Sequence, residues 1–174
     1  MRIGLGYDSH SFVEGRRLVL AGVEVPSERG LSGHSDADAV AHAVTDALLG
    51  AAALGDIGTH FPPTDERWKD ADSMGLLARV VRLLESENFQ VVNVDVTVVA
   101  EEPRIGPFVP EMRRRLADVI GISGGHVSVK GKSNEGMGWI GRRDGLAVQA
   151  VALIDRIEDQ DPVHARHSPS LPRL

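Results

Sequence analysis

Val92-Asn93-Val94-Asp95-Val96-Thr97-Val98 decides the fold. Successive side chains of a strand point to opposite faces, so the four valines make one face apolar while Asn93, Asp95 and Thr97 make the other polar. Such a strand belongs in a sheet that carries a helical layer on one side. The flanking segments supply that layer. Upstream, Leu76, Leu77, Val80, Val81 and Leu84 recur at helical spacing behind a cap at Asp72 or Ser73, with Asn88 near the helix end. Downstream, Pro107 and Pro110 open a helix that runs through Ile120, and residues 126–131 and 146–154 read as the last two strands.

Further upstream, residues 2–7 form a first strand candidate and residues 17–25 a second, stopped by Pro26, before a loop over residues 26–35. Ser35 or Asp36 caps the helix that follows, whose apolar positions Ala39, Val40, Ala43, Val44, Ala47, Leu48 and Ala51 keep helical spacing until Gly55. Asp38, His42 and Asp46 stand four apart on it, as a polar stripe beside the apolar one. The order β-β-α-α-β-α-β-β predicts an α/β (α+β) fold: a single-domain sheet over residues 1–156 with helices packed on one face. Residues 157–174, polar and rich in proline, are expected to be a disordered tail.

The 174 residues, 42% hydrophobic, suffice for one domain with a substantial core. No cysteine is present, which removes disulfide scaffolds, thiolate zinc sites and thiol catalysis. A net charge of −6 argues against nucleic acid as a partner, because phosphate backbones are met by basic faces. No apolar run reaches membrane-spanning length and no leader pattern precedes the first strand, so a cytoplasmic enzyme without a membrane partner is expected.

Two clusters carry chemistry. Asp8 and His10, two apart at the end of the first strand, share a face, and His42 on the first helix completes three N/O ligands with an open position, the pattern of catalytic zinc. His34, with Ser35 and Asp36, precedes that helix, whose N-terminal N–H groups favour either an anion or simple capping. The second cluster, Lys130-Gly131-Lys132-Ser133-Asn134-Glu135-Gly136, is basic and glycine-rich, so its amides and hydroxyl suit phosphates and Glu135 suits a hard divalent cation. It is not a P-loop, and Gly4-Leu5-Gly6 lacks the third glycine of a dinucleotide fingerprint. Asp56-Ile57-Gly58-Thr59-His60-Phe61-Pro62-Pro63-Thr64-Asp65 reads as a functional loop able to fold over a ligand. Glu101 and Glu102, read from spacing alone, are surface charges. By ligand type alone, an iron oxygenase or a metal-dependent phosphodiesterase is also open, as is a non-catalytic metabolite-binding trimer.

The ordered motifs Gly-x-Asp-x-His, Gly33-His34-Ser35-Asp36 with Asp38 and His42, and residues 45–58 closely resemble the 2-C-methyl-D-erythritol 2,4-cyclodiphosphate synthase family. Phe61-Pro62, Asn93-Val94-Asp95-Val96-Thr97 and Gly138-Trp139-Ile140-Gly141-Arg142 extend the likeness to about Arg156. The resemblance implies a lyase of non-mevalonate isoprenoid synthesis, which cyclises 4-diphosphocytidyl-2-C-methyl-D-erythritol 2-phosphate and releases CMP without consuming water. It implies zinc on Asp8, His10 and His42, a second divalent ion (magnesium or manganese) held by Glu135, and transition-state stabilisation by His34 and Ser133.

Asp8, His10, His34 and Ser35 also match substrate contacts in the family. So do Asp56, Ile57, Gly58, Phe61, Pro62, Pro63, Thr64 and Asp65 at the erythritol phosphate. At the cytidine end the match covers Ala100, Glu101, Glu102, Pro103, Arg104, Ile105 and Gly106, together with Lys132, Ser133, Asn134, Glu135, Trp139 and Arg142, which replaces the surface reading of the two glutamates. A homotrimer with active sites at subunit interfaces is implied, with Tyr7, Arg142 and Asp144 near a central cavity that accepts isoprenoid diphosphates in some members. Ser133 and Lys132 stand where threonine is frequent, Pro63 where aspartate is, Arg143 for glycine and Asp144 for glutamate.

Overall fold

The computed structural model describes residues 1–157, so the expected tail lies almost wholly outside the described residues. Its strands are β1 (Arg2–Glu14), β2 (Leu18–Leu20), β3 (Val23–Val25), β4 (Arg29–Leu31), β5 (Phe89–Val99), β6 (Val127–Lys132) and β7 (Gly145–Arg156). Five of them form one sheet in the order β4-β1-β7-β5-β6, and β2 pairs with β3 in a separate hairpin. Only β5 and β6 run parallel. A parallel pair cannot be closed by a tight turn, and α4 (Val109–Ile120) makes the crossover.

The alternating valines behave as their pattern requires: Val94, Val96 and Val98 are buried against the helices. Val92 departs from it. Val91 pairs with Ile154 and Asn93 with Leu153, so Val92 is the extra residue of a bulge. The inward parity switches there, from Phe89 on one side to Val94 on the other.

α1 (Ala39–Ala52) lies directly on β1 and β7, with α3 (Ser73–Ser86) against α1. Its close approach depends on Gly4 and Gly6. A Cβ at Gly6 would fall 1.8 Å from the Ala43 carbonyl oxygen, and one at Gly4 2.0 Å from that of Ala47. The even-numbered side of β1 therefore faces α1, which carries Asp8 and His10 toward it, while Ile3, Leu5 and Tyr7 stand exposed on the bare face of the sheet.

Four expectations are corrected. Residues 17–25 form the β2–β3 hairpin, turned at Ala21 and Gly22 with φ of 51° and 71°, because two consecutive left-handed residues reverse a chain tightly. The presumed loop 26–35 contains β4, which pairs with the extension of β1 to Glu14. The first helix is capped by Asp38, a few residues later than Ser35 or Asp36. Its buried carboxylate accepts from Val40 N and Ala41 N of the helix and from Ala21 N and Gly22 N of the hairpin turn, at 2.6–3.1 Å. The helix ends at Ala52, with Ala53 as its left-handed cap at φ 60°, ahead of Gly55. Among the described residues, no helix is long and apolar enough to cross a membrane.

Candidate active site

The parity of β1 and the seating of α1 bring Asp8, His10 and His42 to one point. Asp8 Oδ2 lies 2.8 Å from His10 Nε2 and 3.0 Å from His42 Nδ1, and the two nitrogens are 3.4 Å apart. Among the described residues this is the one group of three metal-ligating side chains. The other nitrogen of each imidazole is engaged. His10 Nδ1 sits 2.5 Å from the Ser32 carbonyl, which only accepts, so in the neutral ring the proton is on Nδ1 and Nε2 is free for an ion, while a second proton on Nε2 is donated to Asp8. His42 Nε2 sits 2.9 Å from Ser73 Oγ and 3.1 Å from Ser35 Oγ.

Ligands about 2.0–2.1 Å from a tetrahedral ion stand roughly 3.3 Å from one another, close to the spacings seen here. A carboxylate oxygen facing imidazole nitrogens at these distances requires a cation or a shared proton. Burial by itself pushes Asp8 up, but hydrogen bonds from His10 and His42 and their charge hold it well below the usual carboxylate range. Burial by itself pushes His10 down, and the Asp8 carboxylate and Ser32 carbonyl raise it above the ordinary imidazole value. The donor set fits a divalent metal.

Ser35 borders this triad through His42, and His34 precedes it in the chain. The N-terminus of α1 is occupied by Asp38 from the chain itself, so it offers no free anion site of the kind considered for His34. His34 Nε2 is buried with no protein partner among the described residues. Ser35 is part of the His42 network. One turn beyond His42, Asp46 accepts from Ile57 N at 2.7 Å. It thereby anchors the short α2 (Ile57–His60), which Asp56 caps through Thr59 N at 2.7 Å. The loop through Gly58, Phe61, Pro62, Pro63, Thr64 and Asp65 is thus tied to the helix that bears His42. Phe61 stacks edge-on against Trp68 at 5.1 Å, and Asp65 forks onto Arg67.

The second cluster lies at the same end of the sheet. Ala100, Glu101, Pro103, Arg104, Ile105 and Gly106 after β5, with Gly131, Lys132 and Ser133 at the end of β6, line a cavity of about 590 Å³. Glu102 turns away, to Arg29 and Arg143. Asn134, Glu135, Trp139 and Arg142 are not among its walls, nor are Asp8, His10 and His42. Glu101 is more than the surface charge expected from its spacing, since its Oε1 accepts from Asn134 N at 2.9 Å and Gly136 N at 3.0 Å and so shapes the turn that carries Ser133 and Glu135. Ser133 Oγ donates to Glu135 Oε1 at 2.7 Å. Sequence reasoning missed Ser73, Asp36, Asp46 and the Ser32 carbonyl. One signal was available for Ser73, which follows Asp72 directly and is redundant as a helix cap.

Fold and site together define a single-domain α/β protein with a potential divalent-metal site of two imidazoles and a carboxylate, left open on one side. The chain belongs to the YgbB family, whose model matches residues 1–155. It is 61% identical over 154 residues to the 2-C-methyl-D-erythritol 2,4-cyclodiphosphate synthase of Symbiobacterium thermophilum, covering 88% of this chain and 98% of that protein. Among solved structures it is similar to a CDP-bound 2C-methyl-D-erythritol-2,4-cyclodiphosphate synthase, with a TM-score of 0.82, 36% identity and coverage of 88% and 100%. It is also similar to the bifunctional IspDF of Campylobacter jejuni, with a TM-score of 0.86 and 39% identity over 89% of this chain; the chain spans 42% of that longer protein.

Proposed function

We propose that this chain cyclises 4-diphosphocytidyl-2-C-methyl-D-erythritol 2-phosphate to 2-C-methyl-D-erythritol 2,4-cyclodiphosphate and CMP. One observation carries the reading: in a YgbB-family chain, Asp8, His10 and His42 converge on a single open ion site. The substrate's own 2-phosphate attacks the β-phosphorus and the bond to CMP breaks, so no protein nucleophile is needed, which suits a chain without cysteine. Catalysis then rests on alignment and charge neutralisation.

Asp8, His10 and His42 would hold zinc, and Glu135 a second ion, magnesium or manganese. Together these supply Lewis-acid polarisation of the diphosphate. His34, with its unpartnered Nε2, and Ser133, once its hydroxyl turns from Glu135, supply donors toward the transferring phosphate. The α2 loop, from Asp56 through Asp65, holds the erythritol phosphate. The cavity at residues 100–106 takes the cytidine, with Lys132 beside its phosphates.

The reading includes a homotrimer. Ile3, Leu5, Tyr7 and Val151 form an exposed apolar strip on the bare sheet face, and isolated apolar patches of this kind favour burial against a further copy. The cavity walls exclude the metal triad, which is consistent with an active site completed by a neighbouring subunit. Tyr7, Arg142 and Asp144 would line a central cavity for an isoprenoid diphosphate, although Arg142 is already paired with Asp144 at 3.1 Å. A cytoplasmic location belongs to the same reading.

Phosphorus NMR of the protein with this substrate and magnesium, with and without a zinc chelator, tests the assignment. Cyclic diphosphate and CMP are expected only without chelator. A folded, zinc-loaded trimer that forms no product would overturn it.

A further inference from the structure

We infer that Ser73 is a positioning residue that, with Asp36, fixes the tautomer of His42 and so aims a bare Nδ1 at the ion site. The inference rests on the reading of Asp8, His10 and His42 as metal ligands. Ser73 is the first residue of α3 and is 1% exposed. Its hydroxyl is not needed as a cap, because Asp72 already accepts from Met74 N. It points away from its own helix instead, toward an imidazole on α1.

The direction of each hydrogen bond follows from counting protons. A serine hydroxyl has one proton to donate and two lone pairs to accept with. Both donors of Ser73 go to Asp36: Oγ–H to Oδ1 and the backbone N–H, at 3.2 Å, to Oδ2. With its only hydroxyl proton committed to Asp36, the Ser73 oxygen can meet His42 Nε2 at 2.9 Å only as an acceptor. The Nε2 therefore carries the proton, and Nδ1 presents its lone pair 3.0 Å from Asp8 Oδ2. The remaining lone pair of Ser73 accepts from Ser35 Oγ–H at 3.2 Å, and Ser35 Oγ in turn accepts from Ala37 N at 3.2 Å. Ser35 Oγ, 3.1 Å from Nε2, lies within reach of the same proton, and the one contact left without a donor, the Nδ1 lone pair against Asp8 Oδ2, is the contact an ion would satisfy. The reverse tautomer would set two lone pairs against each other in a buried setting.

Asp36 is held in its turn by Asp38 N, which donates to Oδ1 at 3.2 Å, and by its own N–H, which donates to the Ala71 carbonyl at 3.1 Å. The carboxylate thus reaches the imidazole through one hydroxyl. Partners of this sort, hydrogen-bonded to the far nitrogen of a ligating histidine, orient the ring and raise its basicity, and their loss weakens metal binding by about 10–100-fold.

The test compares zinc affinity, by competition with a chromophoric chelator, in the wild-type chain and in Ser73→Ala, Ser73→Thr and Asp36→Asn, alongside the ¹⁵N shifts of His42. Ser73→Ala is expected to bind zinc about 10–100-fold more weakly and to show Nε2 and Nδ1 shifts moved toward a tautomer mixture. Ser73→Thr, which keeps the hydroxyl, is expected to restore both. Asp36→Asn keeps an acceptor but not the charge, and is expected to lose a smaller part of the affinity with the tautomer retained. A Ser73→Ala protein with wild-type affinity and unchanged His42 shifts overturns the inference. Should that variant fail to fold, unchanged affinity in Asp36→Asn overturns it. Wild-type protein that takes up no zinc overturns instead the reading of the ligands on which the inference rests.

Discussion

The metal-triad end of α1 and the cavity end of β6 sit at the same end of one sheet, yet they are built in opposite ways. Asp8, His10 and His42 lie on regular elements, and the far nitrogen of each imidazole is tied to a neighbour. Their positions depend on the seating of α1 on Gly4 and Gly6. Ser133 and Glu135 lie on an exposed turn with Glu135 at φ 52°, held by hydrogen bonds that Asn134 N and Gly136 N donate to the Glu101 carboxylate. One site is rigid and complete in ligand type within one chain. The other is a loop beside a cavity whose walls do not include the triad.

The largest effect expected from breaking this contrast is at the rigid site. Asp8→Ala should lower turnover by about 10³-fold or more, because the Lewis acid supplies several kcal/mol of transition-state stabilisation. Binding of CDP at the cavity should stay within a few fold, measured by calorimetry. Comparable loss of both would mean that the two regions are not separable.

Next in size is the scaffold that carries His42. Asp38→Ala leaves four backbone N–H groups without their acceptor, two of them in the β2–β3 turn. Urea denaturation should show a loss of about 2–4 kcal/mol, more than a simple helix cap contributes. A loss under about 1 kcal/mol would show that the hairpin turn does not depend on α1.

At the loop site, Glu101→Ala should act on binding and hardly on stability. KM is expected to rise about 10-fold, with kcat changed less and the melting temperature nearly constant, since the turn frees Asn134 N and Gly136 N to water. A fall in kcat with unchanged KM would assign Glu101 to the chemistry itself.

The smallest effect is the pH dependence of the metal-free protein, and its sign is opposite to that of metal binding. His10 is raised above 6.5 in the fold, so its contribution to stability is present below that value and fades as pH rises through the raised one. Asp8 is lowered from 3.8, so its contribution is present above that value and is lost as acid protonates it. Chelated protein should therefore be most stable between about pH 4 and 6.5. Metal affinity should instead rise with pH, by up to about tenfold per unit below the raised His10 value, as one proton is displaced per ion. Denaturation and metal titration at pH 5.5 and 8 check both signs.

Much of this was legible in the sequence. The valine alternation, the helical spacing behind Asp72 and the period-2 relation of Asp8 to His10 are local patterns, and each survives in the structure because burial rewards the pattern itself. The near-misses share one cause. Ser35, Asp36 and Asp38 are all good caps, and composition cannot rank three adjacent candidates. The choice fell to Asp38 because it alone meets the β2–β3 turn as well as its own helix. The bulge at Val92 was equally hidden, since it depends on register against β7.

Sequence thus determined the longer helices and strands, the triad and the family resemblance, all of which rest on residue types at short, regular spacing, whereas the β2–β3 turn and β4 escaped it. Tertiary structure alone decided which proton sits on His42, for the deciding hydroxyl on Ser73 is 31 residues away and the carboxylate behind it a further 37 back along the chain. It also decided that Glu101 serves a turn 33 residues on, where spacing suggested only solvent. Hydrogen-bond direction is a property of partners brought together by packing, and no local period encodes it.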